Sequence, residues 1–479
     1  MGSGAPGKEG ESAKITLLPG APLSEQIAIT RTVTVAAGRF APGHLGELTQ
    51  LVPFDVIDDA LARTGALQQR VRVLPARVVM YLLLAGCLFA ELGYGQVWQR
   101  LTSALAGIDV ARPSPSALRQ ARQRLGAAPL RALFDLLRGP APTRAPVVWR
   151  GLLPVAIDGT VMSVPDSPAN LARYRKQRGN NGGSGYPQVR LSVLLACGTR
   201  SVIDAVFDPA GTGEIVQAYR LARSLRAGML LLGDRNYAAA DLITAWAGTG
   251  ADLLVRCKSS RQLPVLTRYR DGSYLSVLAG ARVRVIDAQI SITTTAGHRT
   301  GTYRLITTLL EYQRYPAAEL ITLYHQRWEI ETAYLEIKSS ILGGRVLRAR
   351  TPEGVEQEVY ALLATYQLLR TAMTDATDSV PGLDPDRASF STALNAARDQ
   401  IIQAAGVITD TTVDLVGTIG RHILDAVMPD RRIRTKPRLI KRSNSKYQAR
   451  GTNIDRTSYK ATINIDILLP DALTTPPNA

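Results

Sequence analysis

Four side chains of different chemistry share one edge of a stretch that reads as a helix from Pro316 to Ile341. At 100° per residue, Tyr324, Arg327, Glu331 and Lys338 fall at roughly 0°, 300°, 340° and 320°, so a phenol, a guanidinium, a carboxylate and an ammonium stand together. Leu323, Ile330, Ile337 and Ile341 lie within about 40° of one another on a separate arc, flanked by Ala333 and Tyr334, and form the buried stripe such a helix needs. Glu329 and Glu336 come out near 140° and 120°, on the side expected to face solvent. The first edge has the composition of a site rather than of a solvated face.

Two aspartates stand where a carboxylate is unexpected. The runs Val155-Ala-Ile-Asp158-Gly-Thr160 and Leu230-Leu-Leu-Gly-Asp234-Arg-Asn-Tyr237 each place the acid directly after a buried apolar segment. A carboxylate there is costly unless it is paired or metal-bound, although capping the next turn is the ordinary alternative for either one alone. Asp166, Asp204, Asp208 and Asp241 read as surface or capping residues. Cys87, Cys197 and Cys257 are far apart and the four histidines form no H-x3-H, so any metal must be held by carboxylates. Oxygen-only ligation points to magnesium or manganese.

The spacing Y-x2-R-x3-E-x6-K formed by Tyr324, Arg327, Glu331 and Lys338, preceded in order by D-G-T at Asp158 and G-D-R-x-Y at Asp234, resembles the signature of the Insertion Sequence 4 family of DDE transposases. The resemblance covers roughly residues 31–369. It implies a ribonuclease H-like catalytic domain in which Asp158, Asp234 and Glu331 hold two Mg2+ or Mn2+ ions. It implies cut-and-paste transposition: nicking, attack of the freed 3′-hydroxyl on the opposite strand to form a hairpin, hairpin hydrolysis, and joining to target DNA. Arg327 and Lys338 would bind phosphates, Tyr324 would position the DNA backbone, and Trp328 would either stack on a displaced base or pack against a neighbouring domain.

The elements that must carry these residues follow from the hydrophobic period. Residues 1–24 read as a flexible tail, and 25–139 as a helical domain with helices near 44–51, 54–64, 75–92, 96–106, 116–125 and 130–137. Arg119 and Arg122 lie on the fifth of these, which is either a DNA-contacting helix or a plain basic one; the resemblance favours DNA. After a Pro-rich linker the period changes to strands at 153–164, 189–197, 202–207, 229–233 and 253–258, with helices at 214–225 and 239–247. Three adjacent strands followed by helix, strand, helix and strand give an α/β fold with a mixed sheet of the ribonuclease H-like plan, over residues 140–345. The basic, glycine-rich stretch 173–186 reads as a mobile loop that contacts phosphate or simply joins two strands. A β-strand insertion at about 259–312 contains strands at 274–278, 281–286, 288–295 and 303–310, and Arg256, Lys258 and Arg261 lead into it as candidate DNA clamps. Helices over 346–428 offer apolar faces for packing or dimerisation. Residues 429–479 form a basic arm, in which 431–450 carry nine Lys or Arg and no acid.

At 479 residues the chain is long enough for two to four domains. A net charge of +17 suggests a polyanionic partner, and nucleic acid fits best. The longest apolar run, 78–90, is too short to span a bilayer, so the expectation is a cytoplasmic, nucleoid-associated protein with no membrane partner. Its expected partners are double-stranded DNA, as terminal inverted repeats and target, and a second copy of itself on paired ends. Two rivals share the residues: a ribonuclease H-like nuclease that cuts without joining, and a domesticated DNA-binding protein that no longer cleaves.

Overall fold

The computed structural model describes residues 44–67, 74–103, 111–141, 143, 148–176, 178–179, 182–183, 185–403, 417–429, 434–435 and 459–469. The expected tail, and all of the basic stretch 431–450 except Arg434 and Thr435, lie outside the described residues.

Long apolar runs form the centre of the sheet because both of its faces are covered. Strand β1 (Leu153–Ser163) is flanked by antiparallel β2 (Gln188–Ala196), which pairs with β3 (Val202–Pro209). On its other side β1 pairs in parallel with β4 (Met229–Gly233), and β4 with β5 (Asp252–Cys257). The order β3-β2-β1-β4-β5, with parallel strands joined through helices α7 (Glu214–Leu221) and α8 (Ala240–Ala247), is the ribonuclease H-like sheet. Side chains alternate across β1. Val155 and Ile157 pack with Ala218, Leu242 and Trp246 under α7 and α8, whereas Ala156 joins the core of the opposite face.

The insertion continues this sheet. Strand β6 (Tyr274–Leu278) pairs with β7 (Ala281–Thr294), and β8 (Gly297–Thr307) pairs with both β7 and β5. A single strand therefore replaces the expected pair 281–286 and 288–295. Asp287, the residue between the two expected strands, is buried and stands opposite Arg304, whose Nε lies 2.7 Å from its Oδ1, so the charge is paired across the ladder. Beyond β7 comes β9 (Tyr459–Ile467), antiparallel to β7 over Ala288–Thr294, and Arg434–Thr435 pairs with its start. Part of the expected arm is thus a strand of the catalytic sheet.

The second face carries the helices. Helices α1 (Phe54–Arg63), α2 (Ala76–Leu88), α3 (Tyr94–Thr102), α4 (Pro115–Leu125) and α5 (Ala128–Leu137) precede the sheet. Ser114 caps α4 by accepting from the Ala117 N–H, with Pro115 in its first turn. After the sheet come α11 (Pro352–Asp378), α12 (Phe390–Gln403) and α13 (Thr418–Asp425). Of the packing or dimerisation expected from the apolar faces of this region, α11 shows packing: most of its residues are buried, against α2, α5, α12 and α13. Gln357 donates to the carbonyls of Arg122 and Gly126, and Gln367 accepts from the Val202 N–H, so the early and late helices share one core. Helix α6 (Pro168–Tyr174) runs into the start of the expected mobile loop 173–186, within which Arg178–Gly179 pairs with Gly182–Gly183.

Candidate active site

Asp158 lies in β1 and Asp234 directly follows β4. The parallel register runs from Leu153↔Met229 to Ala156↔Leu232, and two residues beyond it come Asp158, midway along β1, and Asp234, just past the end of β4. Each acid also serves its own turn. Asp158 Oδ1 accepts from the Gly159 N–H at 2.8 Å, and Asp234 Oδ1 accepts from the Asn236 N–H at 2.8 Å, capping the short turn Arg235–Tyr237. Capping and site geometry therefore coexist, since the cap occupies only one oxygen.

Glu331 arrives on a helical rod that changes pitch along its length. It comprises α9 (Ala317–Tyr324), a 3-10 turn (His325–Trp328), α10 (Glu329–Leu335) and a π segment (Glu336–Ile341). Such irregular turns are frequent at functional sites. Two tyrosines fasten the rod to the strand ends: the Tyr324 hydroxyl donates to the Gly233 carbonyl at 3.0 Å and the Tyr334 hydroxyl to the Asp158 carbonyl at 2.6 Å. Lys338 Nζ donates to Thr160 Oγ1 at 3.2 Å. Arg327 Nη2 lies 3.3 Å from Glu331 Oε1, with its guanidinium near the rings of Tyr324 and Trp328.

The electrostatics tie these groups together. Burial pushes the Asp158 carboxyl up to about 6, and the nearby charges of Asp234 and Glu331 push the same way, against the Gly159 N–H and Arg327. Among the described residues no three His, Cys, Asp or Glu side chains converge closely enough to hold a metal ion as they stand, and Glu331 Oε1 accepts from Arg327.

Several expected roles change. Tyr324, expected to position the DNA backbone, is buried, and its hydroxyl donates to the Gly233 carbonyl. Tyr334, read only as a flank of the buried stripe, is its counterpart at Asp158. Trp328, expected to stack on a base or pack against a neighbouring domain, is 53% exposed. Glu329 and Glu336 are not solvated: both are buried beside Arg200 of the β2–β3 turn. A helical wheel assumes one buried side, whereas this rod is covered on two. Asp204 is no surface residue either, being buried in an ion cluster with Arg138 and Arg223. Arg261 donates to the Ala238 carbonyl and holds the backbone. Arg122 is half-buried, 4.0 Å from the Tyr94 ring centre, while Arg119 on the same helix is exposed. Arg256 lies over the Tyr303 ring at 3.7 Å, and Lys258 is exposed.

Residues 42–135 match the family model described as insertion element 4 transposase N-terminal, and residues 149–368 match that described as transposase DDE domain. The chain is 28% identical over 408 residues to the transposase InsG for insertion sequence element IS4 of Escherichia coli (strain K12), covering 82% of this chain and 91% of that protein. A piggyBac transposase synaptic complex with hairpin DNA, determined by cryo-EM, aligns with a TM-score of 0.41 at 10% identity, covering 79% of this chain and 81% of that one. Among the described residues no helix is long and apolar enough to cross a membrane.

Proposed function

The chain belongs to the Insertion Sequence 4 family of DDE transposases, enzymes that act on DNA, and we propose that Asp158, Asp234 and Glu331 are its catalytic, metal-binding carboxylates. The observation that carries this reading is the parallel register that leaves Asp158 and Asp234 each two residues beyond its last pair, beneath a rod whose Glu331 is close enough to perturb Asp158. DDE transposase domains generally use divalent metal ions. The donor set fits Mg2+ or Mn2+: all its ligands are carboxylate oxygens, and the part-buried Asp158 lies near the charges of two other acids. Two such ions, when bound, would lower the pKa of an attacking water or 3′-hydroxyl and neutralise charge at the leaving oxygen.

The remaining groups bind and orient. Arg327, now paired with Glu331, is the donor for a phosphate at the scissile position; engaging it would release Glu331 toward the aspartates. Lys338, beside Thr160, supplies a second cation at the end of β1. Trp328, exposed next to Arg327, offers an aromatic face to an unpaired base. Arg119, Arg256 and Lys258 contact DNA backbone further out. The activity is cut-and-paste transposition through a hairpin end, performed by a dimer on paired ends.

The experiment is incubation of the protein with DNA carrying the ends that flank its own gene, plus Mg2+ or Mn2+. Hairpinned ends and joined products support the reading. Cleavage with neither hairpin nor joining would reduce it to a nuclease, and DNA binding without cleavage to a binding protein.

A further inference from the structure

A buried cluster of charge lies between the catalytic rod, the β2–β3 turn and α11. Its centre is Arg200, in the turn between β2 and β3, 1% exposed and held at a left-handed φ of 54°. Its Nη1 lies 2.7 Å from Glu336 Oε1 and its Nε 4.0 Å from Glu329 Oε2, and it forms a further ion pair with Asp386. Glu336 also accepts from the Tyr366 hydroxyl at 2.9 Å and lies 3.6 Å from Arg370, both on α11. Glu329 accepts from the Gly198 N–H at 2.6 Å.

The positions of the two glutamates give the cluster its meaning. Glu329 is the first residue of α10, where the 3-10 turn gives way to α-helix, and Glu336 is where α-helix gives way to the π segment. They bracket the one segment that carries Glu331, and they hold it from the side away from the aspartates. Helix pitch is unsettled at both boundaries, so apolar packing alone would leave the rotation of α10 loosely specified. Directional hydrogen bonds to the two buried carboxylates, from Gly198 to Glu329 and from Arg200 and Tyr366 to Glu336, favour one rotation.

We propose that Arg200 is a positioning residue for the catalytic glutamate, acting through Glu329 and Glu336 to set the rotation and height of the helical turns that present Glu331. The inference rests on Glu331 being a metal ligand. Tyr324 and Tyr334 hold the same rod from the sheet side, so α10 is fixed between two sets of hydrogen bonds that share no residue.

The test uses the full chain with Glu336→Gln, Arg200→Lys and, as reference, Glu331→Gln. Glu336→Gln is isosteric and keeps a partner for Tyr366, so it folds even if replacement of Arg200 does not. Arg200→Lys keeps the charge but cannot reach three carboxylates at once. Three quantities are measured: the Mn2+ concentration that half-saturates end cleavage, amide hydrogen exchange over 329–341, and the melting temperature. A positioning role predicts a Mn2+ requirement raised roughly 10- to 100-fold, the usual effect of disturbing a group that orients a ligand, together with faster exchange over 329–341. A merely structural role would lower the melting temperature and leave the Mn2+ requirement of the folded protein unchanged. Inactive Glu331→Gln, with wild-type exchange and Mn2+ requirement in the other two, overturns this inference alone. Active Glu331→Gln overturns the proposed site and this inference with it.

Discussion

The Tyr334 hydroxyl donates to the main-chain carbonyl of Asp158 at 2.6 Å, so the helix that brings Glu331 is fastened to the backbone of the very residue it must face. Tyr324 makes the matching bond to Gly233, the neighbour of Asp234. The relative placement of three residues far apart in sequence thus depends on two phenols as well as on core packing.

Tyr334→Phe removes one of these bonds, at a cost of about 0.5 to 1.5 kcal/mol. We expect a lowered melting temperature, weaker end cleavage and unchanged affinity for end DNA. Thermal melts and a cleavage assay on the same preparation check this, and wild-type values in both would refute a bracing role.

Asp158 titrates near 6 when folded, above its ordinary value of 3.8, chiefly because it is buried. A raised folded pKa favours the protonated fold, so this contribution to stability is full below about 3.8 and is lost as pH rises through about 6. Without divalent ions, Asp158→Asn should therefore melt higher than wild type at pH 7, and the gap should close toward pH 4. Adding Mn2+ at pH 7 should raise the wild-type melting temperature and leave that of Asp158→Asn nearly unmoved. Parallel melting curves of the two proteins across pH would contradict the assigned burial.

Much of this was legible because local constraints produced it. Asp158 and Asp234 end apolar runs whose length and branching mark them as buried parallel strands, and Tyr324, Arg327, Glu331 and Lys338 keep a spacing that survives changes of helical pitch. The parts that were not legible depend on partners distant in the chain. Nothing near Glu329 or Glu336 announces Arg200, and nothing near Asp287 announces that Arg304 will lie opposite it. Likewise α11 looked like a helix with spare apolar faces because its neighbours on both flanks come from other regions of the chain.

The strand Tyr459–Ile467 changes what a truncation means. Its Ile465 and Ile467 pack on the core beside Ile290, so cutting the chain before Arg431 should lower the melting temperature as well as remove positive charge. Replacing only the six Lys and Arg of 436–450 with Gln should keep the melting temperature while weakening DNA binding. The log-log salt slope should shrink by up to about 0.9 per lost phosphate contact. Gel shifts across a salt series, run beside melts, separate the two effects; an unchanged slope would make this stretch a bystander.

Arg119 and Arg122 should also part company. Arg119 is exposed, so Arg119→Ala should weaken DNA binding and leave stability alone, whereas Arg122→Ala loses its contact with the Tyr94 ring and should destabilise the fold. Equal effects of both on DNA affinity, with neither changing the melting temperature, would count against this division.

The central claim is that Glu331 completes a metal-binding set with Asp158 and Asp234, and the most direct measurement is Mn2+-dependent end cleavage by Glu331→Gln beside a gel shift of the same DNA. The substitution keeps shape and removes charge. Cleavage should fall by more than about 100-fold, beyond the usual effect of disturbing an outer-shell group, while DNA binding holds or tightens as a negative charge leaves the phosphate path. Near wild-type cleavage by folded, DNA-binding Glu331→Gln would contradict the account.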